Sequence, residues 1–303
     1  MDRIVVSNHS ILAARHLLLF ILRNSYTNEF LPCLLLSHPG KGCQGHLLDA
    51  ITTIIILIAV GLGAGTLGSM VGVGGGIIMV PALTFMAFPP AHIASTSLFA
   101  VTSTSVSSTI EYSRQKRIDY RLGIEMAAFA IPGAVLGAFL SDYLSAESFK
   151  LYFGILLMLT GIYVLYKNSI LKEGAASKRS IALRAAVFAA TFGAGIISSL
   201  FGVGGGIIFV PVMLLLLGMT MQRAAPTSQL TLMMTSLAGV FTHAFLGHPD
   251  YLQAIALSAG AFVGAQIGAR VSRDAKELLL QRLLGLVLIG VAAKFIFDWL
   301  TAR

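Results

Sequence analysis

The chain reads as an all-α integral membrane protein, a polytopic bundle of two inverted repeats with about five segments each and helices broken by glycine. Three observations carry this reading. The 303 residues are 56% hydrophobic and only 11% charged, with a mean hydropathy of +0.84, too apolar for a soluble domain. The decapeptide GVGGGIIMVP at Gly72–Pro81 recurs as GVGGGIIFVP at Gly202–Pro211, 130 residues later, with nine of ten positions identical. Matching loops of the two halves also carry opposite charge bias.

Residues 1–49 stand apart. Their apolar pieces, Leu17–Leu22 and Phe30–Leu36, are interrupted by Arg15, His16, Arg23 and Glu29, and neither reaches the ~20 residues a crossing helix needs. They are expected to form a poorly ordered N-terminal extension, and no clean signal-peptide pattern is present. Cys33 and Cys43, the only two cysteines, fit no metal or redox spacing.

Repeat 1 occupies 50–170, with spans near 50–71, 73–89, 93–111, 122–141 and 148–167. A linker at 171–181 follows, in a basic stretch with Lys167, Lys172, Lys178, Arg179 and Arg184. Repeat 2 occupies 182–303, with spans near 182–201, 203–219, 225–246, 251–270 and 279–300. The match extends past the glycines. Gly63 and Gly65 align with Gly193 and Gly195, and after a one-residue insertion Ala94–Ser97 aligns with Ala225–Ser228. Further on, Asp119-Tyr120 aligns with Asp250-Tyr251, and PGAVLGA at 132–138 with VGAQIGA at 263–269.

The loop at 112–121 carries Arg114, Lys116, Arg117 and Arg121, whereas its partner at 247–250 has no Lys or Arg. The loop at 142–148 has none, and its partner at 270–282 carries Arg270, Arg273, Lys276 and Arg282. Basic loops stay in the cytoplasm, so the halves face opposite ways, the linker is cytoplasmic, and each half crosses an odd number of times. Five crossings fit the apolar runs, although both glycine segments are short enough to be discontinuous helices. The net charge of +8 is thereby a topology signal rather than a mark of nucleic-acid binding. Gly61/Gly65, Gly133/Gly137 and Gly264/Gly268 are small-residue stripes for close helix packing.

Broken backbone survives in hydrocarbon only where it lines a cavity or is packed in protein, and matched breaks in two halves point to a transporter's binding site. A helix beginning at Gly76 or Gly206 would aim bare N–H groups and its positive dipole end at the break. That suits an anion without any buried Lys or Arg. The candidate substrate residues are Gly72, Gly74, Gly75, Gly76, Gly202, Gly204, Gly205 and Gly206. Beside them are the matched hydroxyls Thr96 with Thr227 and Ser97 with Ser228, ranked above the other Ser and Thr of spans 93–111 and 225–246 as neutral donors. Back-bonding to the preceding turn is the competing role for every such hydroxyl. GVGGG has neither the GxGxxG spacing nor a Walker lysine. His243, whose repeat partner is Tyr112, and Glu111 are the candidates for coupling or gating, against a plain interfacial role. Glu125 and the Lys294/Asp298 pair read as interface groups. No hydrolase motif and no cluster of metal ligands lies in the spans, so no enzyme, cofactor or metal is expected.

The doubled G-x-G-G-G-x-x-x-V-P, the pair Ala94-Ser95-Thr96-Ser97 and Ala225-Pro226-Thr227-Ser228, and TSLAGVFTHAFLGHPDY at 235–251 resemble the sulfite exporter TauE/SafE family over about 50–300. The resemblance implies a carrier of small sulfur-containing anions, such as sulfite or organosulfonates, in a bacterial inner (plasma) membrane. It implies that the glycines and Thr/Ser pairs named above contact the anion. The partners are then the anionic substrate and the lipid bilayer, with a homo-oligomer left open. The rival readings are an anion channel or facilitator without alternating access, and a non-transporting membrane assembly factor or receptor. At this level Gly75→Leu or Gly205→Leu is expected to stop transport without disturbing insertion.

Overall fold

The computed structural model describes residues 41–86, 89–166, 181–273 and a few positions between 289 and 297. Most of the 1–49 extension, most of the linker and most of the span near 279–300, with Lys294 and Asp298, lie outside the described residues. The described chain is helical. The first half holds α1 (Lys41–Val71), α2 (Gly76–Phe85), α3 (Pro90–Arg114), α4 (Tyr120–Leu140), a 3-10 turn at Ser141–Tyr143 and α5 (Ala146–Tyr166). The second holds α6 (Ile181–Phe201), α7 (Gly206–Leu215), α8 (Met221–Phe245) and α9 (Tyr251–Val271). The first helix therefore starts nine residues ahead of the span placed at 50, and its apolar part is Ile51–Val71.

Local sequence explains most boundaries. Asp119 caps α4 by accepting the Leu122 amide at 3.1 Å, and its repeat partner Asp250 sits at the same position before α9. Lys116 (φ 54°) and Gly247 (φ 77°) end α3 and α8 in the same left-handed turn. There Arg117 N and His248 N donate back to the Tyr112 and His243 carbonyls at 3.3 and 3.1 Å. Among the described residues, four helices are long and apolar enough to cross a membrane on composition: Ile51–Val71, Tyr120–Tyr143, Leu183–Phe201 and Tyr251–Val271. These four surround α3 and α8, which are 25 residues long, rich in Ser and Thr, and buried along most of their length. Large apolar side chains such as Ile55, Leu159, Phe241, Phe245 and Ile255 are exposed at 61%, 63%, 63%, 90% and 66%. An outward apolar coat around a polar centre is the arrangement lipid requires.

The glycine stripes set how closely these helices approach. A Cβ on Gly61 or Gly65 would collide with the backbone of Leu257 or Ala261 in α9, and one on Gly264 or Gly268 with the carbonyls of Leu62 or Thr66 in α1. The matched pair α4·α6 does the same, with Gly133 against Phe192 O and Gly137 against Ile196 O. Backbone therefore meets backbone without side chains between.

Because the contacts advance in step, α1 runs parallel to α9 and α4 to α6. On α3, Ser103 and Ser107 donate to the Ser258 and Phe262 carbonyls of α9 at 2.9 and 2.7 Å, again in parallel register. Thr227 and Thr231 of α8 meet Asp119 and Gly123 beside α4 in the same order. In contrast, the second break touches α3 near its start (Gly202 at Ala94) and α8 near its end (Ser199 at His243). The first break touches α8 near its start (Gly72 at Ala225) and α3 near its end (Ser69 at Tyr112). Hence α3 and α8 run in opposite directions. Helices α1, α3 and α9 share one direction, and α4, α6 and α8 the other. Since α1 and α3 agree, the chain has to return between them through the first break and α2.

Candidate functional site

Each glycine segment breaks a helix as the sequence predicts. Gly72, Gly74 and Gly75 have φ of 83°, 82° and 79°, and Gly202, Gly204 and Gly205 of 73°, 87° and 72°. Side chains disfavour this left-handed backbone and glycine does not. The new helices begin at Gly76 and Gly206, with Gly75 and Gly205 as their N-caps. Ten residues rise roughly 15 Å, about half the ~30 Å hydrocarbon core. Each short helix is therefore too short to cross the core by itself.

The two breaks meet. A Cβ on Gly76 would lie 2.6 Å from Val203 Cα, and one on Gly206 2.7 Å from Val73 Cα. The contact is reciprocal, each break meeting the valine of the other. Val101 and Leu232, repeat partners at the middle of α3 and α8, each touch both Gly74 and Gly204. The N–H groups of Gly75, Gly76 and Ile77, and of Gly205, Gly206 and Ile207, have no hydrogen-bond acceptor among the described residues. Nearby, Ser105 Oγ lies 3.8 Å from the Cβ position of Gly74, is fully buried and has no hydrogen-bond partner among the described residues. The eight predicted glycines and Ser105 thus form one buried, neutral, donor-rich centre. A separate cavity of about 300 Å³, lined by Asp119, Arg121, Glu125 and Arg184 among others, lies apart from the breaks.

The hydroxyl pairs behave differently from the expectation. Ser97 Oγ donates to Gly202 O at 2.8 Å, and Ser228 Oγ donates to Gly72 O at 2.6 Å. Each hydroxyl therefore ties down the first glycine carbonyl of the other half's break. With their protons so committed, Ser97 and Ser228 have none to offer an anion in this conformation. Thr227 Oγ1 accepts the Asp119 amide at 3.0 Å, a contact between repeat 2 and the start of α4. Thr96 is buried at 2% exposure on the same turn as Ser97. The competing role of back-bonding accounts for Thr102, Thr104, Thr231 and Thr235, which donate to carbonyls four residues earlier.

A second reciprocal pair holds the helix ends that lead into the breaks. Tyr112 Oη donates to Ser69 O at 2.8 Å, and His243 Nε2 to Ser199 O at 3.0 Å. Beyond Tyr112, Ser272 Oγ lies at 3.1 Å and the Arg117 guanidinium stacks 5.4 Å over the ring. Beyond His243, its Nδ1 lies 2.9 Å from His248 Nδ1, and His248 Nε2 lies 2.8 Å from Asp142 Oδ1. Burial holds the His248 imidazole below the ordinary histidine range, with Asp142 drawing it up and His92 pushing it down. Glu111 is not near the breaks. It accepts from Arg270 Nε at 3.4 Å and Gln115 Nε2 at 3.3 Å and lies 3.9 Å from Arg114, in a charged cluster at a helix end. Glu125 pairs with Arg121 at 3.2 Å and is half exposed, as an interface group would be. No group of three or more metal-ligating side chains occurs among the described residues.

Sequence alone gives no mark to Val101, Leu232, His248 or Asp142, and it places Ser105 below the matched hydroxyl pairs. The 131-residue offset that pairs Val101 with Leu232 and Arg117 with His248 is the signal that could have found them.

The profile of the sulfite exporter TauE/SafE family matches residues 57–295. The chain is 31% identical over 268 residues to "Probable membrane transporter protein YunE" of Bacillus subtilis (strain 168), covering 81% of this chain and 98% of that one. It is 25% identical over 246 residues to "Probable membrane transporter protein YfcA" of Escherichia coli (strain K12), covering 80% and 89%. No solved structure matches it. A helical bundle with an apolar coat, a buried polar centre at two matched breaks, and these relatives lead to one conclusion: the chain belongs to the sulfite exporter TauE/SafE family and is a membrane transporter.

Proposed function

We propose that the protein is an exporter of small sulfur-containing anions, sulfite or organosulfonates, which bind at the N-termini of α2 and α7 near mid-depth. The observation that carries this reading is the meeting of two helix N-termini, with unpaired amides and the Ser105 hydroxyl, at the level of Val101 and Leu232. Two converging positive dipole ends attract a small anion, while the absence of fixed cations there among the described residues keeps the site from holding it too tightly. Sulfur oxyanions, with several acceptor oxygens, suit such a set of backbone donors. The family relationship supports the same substrate class.

In this reading the two halves are inverted repeats across a bacterial inner membrane, a placement that rests on loop charge and on the opposite directions of α3 and α8. Rocking of one half on the other alternates access. Val101 and Leu232 cover Gly74 and Gly204 from both halves, which favours a carrier over a continuous channel.

The test is flux of sulfite and of sulfonates in proteoliposomes, with and without a proton gradient. Saturable flux with counter-transport supports the carrier. Non-saturable flux would make it a channel, and no flux of any sulfur oxyanion would refute the substrate class.

A further inference from the structure

We propose that His243, His248 and Asp142 form a single-proton site whose loading latches the end of α6, where the second glycine break begins, to α8. The argument is a count of hydrogens. Ser199 O can only accept, so His243 Nε2 must carry a hydrogen across their 3.0 Å contact. The two Nδ1 atoms, 2.9 Å apart, need one hydrogen between them. His248 Nε2 and Asp142 Oδ1, 2.8 Å apart, need a third. Two neutral imidazoles and an ionised carboxylate supply only two. All three bonds form together only when the cluster has taken up one more proton and is neutral rather than singly negative. Without it, two lone pairs face each other at one of these contacts, and that contact opens.

The chain of groups is placed to sense a gradient. Asp142 is 44% exposed and sits in the turn after α4, while His243 is fully buried. The loops at 142–148 and 247–250 contain no Lys or Arg, so by charge they lie outside. A proton enters from that side at Asp142 and leaves by the same route. No other group changes oxidation or bonding. The remaining titratable neighbours are His92, at the start of α3, and Asp250 just before α9, which lie 3.3 Å from each other. Burial keeps His248 weakly basic, so the extra proton is held on the acidic side of neutrality and released readily.

The equivalent end of the other half has no such dependence. There Tyr112 donates to Ser69 O and Arg117 stands where His248 does, and neither changes charge near neutral pH. One helix end is therefore held at every pH, whereas the other is held by an unbroken chain of bonds only when protonated, a difference by which a proton gradient can bias two conformations.

The consequence for transport rests on the carrier reading, but the latch itself is tested without substrate. Hydrogen–deuterium exchange of the full chain in lipid nanodiscs is compared across pH after correction for intrinsic exchange. Residues 196–206 should exchange roughly tenfold faster once the proton is lost, within the usual range of coupling between sites, while 66–76 should not respond. Asp142→Asn supplies the third hydrogen from its amide, so 196–206 should stay slow and become insensitive to pH. His243→Tyr with His248→Arg transplants the other half's arrangement and should also abolish the response. The proposal is overturned if wild-type 196–206 shows no pH response, or if Asp142→Asn exchanges faster and keeps it. A protein that passes this test yet moves no sulfur oxyanion would fail the transport reading alone.

Discussion

Replacing Ser228 with alanine separates two roles for the matched hydroxyls. Ser228 Oγ lies 2.6 Å from Gly72 O and 2.8 Å from Ala225 O, so its one hydrogen goes to the shorter Gly72 contact or is shared between the two, and it is fully buried. Gly72 has φ 83°, outside any helix, so its carbonyl loses a donor with no helical N–H to replace it. An orphaned buried acceptor costs about 1–3 kcal/mol. For a domain of this size that corresponds to a melting point lower by roughly 2–12 °C. Ser97→Ala, which frees Gly202 O from its 2.8 Å bond, should cost a similar amount. The two contacts lie at opposite ends of α3 and α8, so the double variant should show the sum. Thermal unfolding of purified protein in detergent, followed by circular dichroism, reads both. If either variant melts within about 1 °C of wild type while the KM for the anion rises, the hydroxyl is a substrate ligand and the argument from geometry fails.

Ser105→Ala removes a hydroxyl with no partner among the described residues, so stability should hold while KM rises severalfold; unchanged KM would remove Ser105 from the site. Gly65→Ala drives a methyl into the Ala261 backbone and should destabilise by about 1–3 kcal/mol, whereas Gly63→Ala meets nothing within 4 Å and should melt at or slightly above the wild-type temperature. Glu111→Gln should cost less than about 1 kcal/mol, because its Arg270 partner is 63% exposed, and should leave the pH profile of transport intact. A flattened profile would return Glu111 to the coupling machinery. Gly75→Leu is not the clean block expected from sequence. At φ 79° its Cβ would also lie 2.6 Å from Ala64 O in α1, so poor folding should appear first, as reduced monodisperse yield on size exclusion.

Much of this protein is legible residue by residue along the chain. Hydropathy marks the crossing helices, because lipid selects apolar residues at every outward position. The duplicated glycines mark both breaks and the first residues of α2 and α7, because positive φ is a property of single residues. Repeat offset pairs His243 with Tyr112, and the two side chains do form the same bond to the helix ends before the breaks. Loop charge leads to the expectation that the halves oppose; the structure adds that α3 and α8 are antiparallel.

Partnership was decided only by tertiary structure. Alignment shows that Ser97 and Ser228 are equivalent, but not that each holds the other half's break, since that depends on how the halves dock. Equally, α3 and α8 look too polar to cross a membrane in isolation. They are tolerated because α1, α4, α6 and α9 cover most of their polar faces, because the faces left open carry apolar side chains such as Phe241 and Phe245, and because their hydroxyls satisfy carbonyls that the breaks leave free. The proton count of His243, His248 and Asp142 depends on three contacts, one of which joins a turn of the first half to a turn of the second. Sequence carries the conformation of each residue, whereas a shared proton or a cross-repeat bond exists only once donor and acceptor have been brought together.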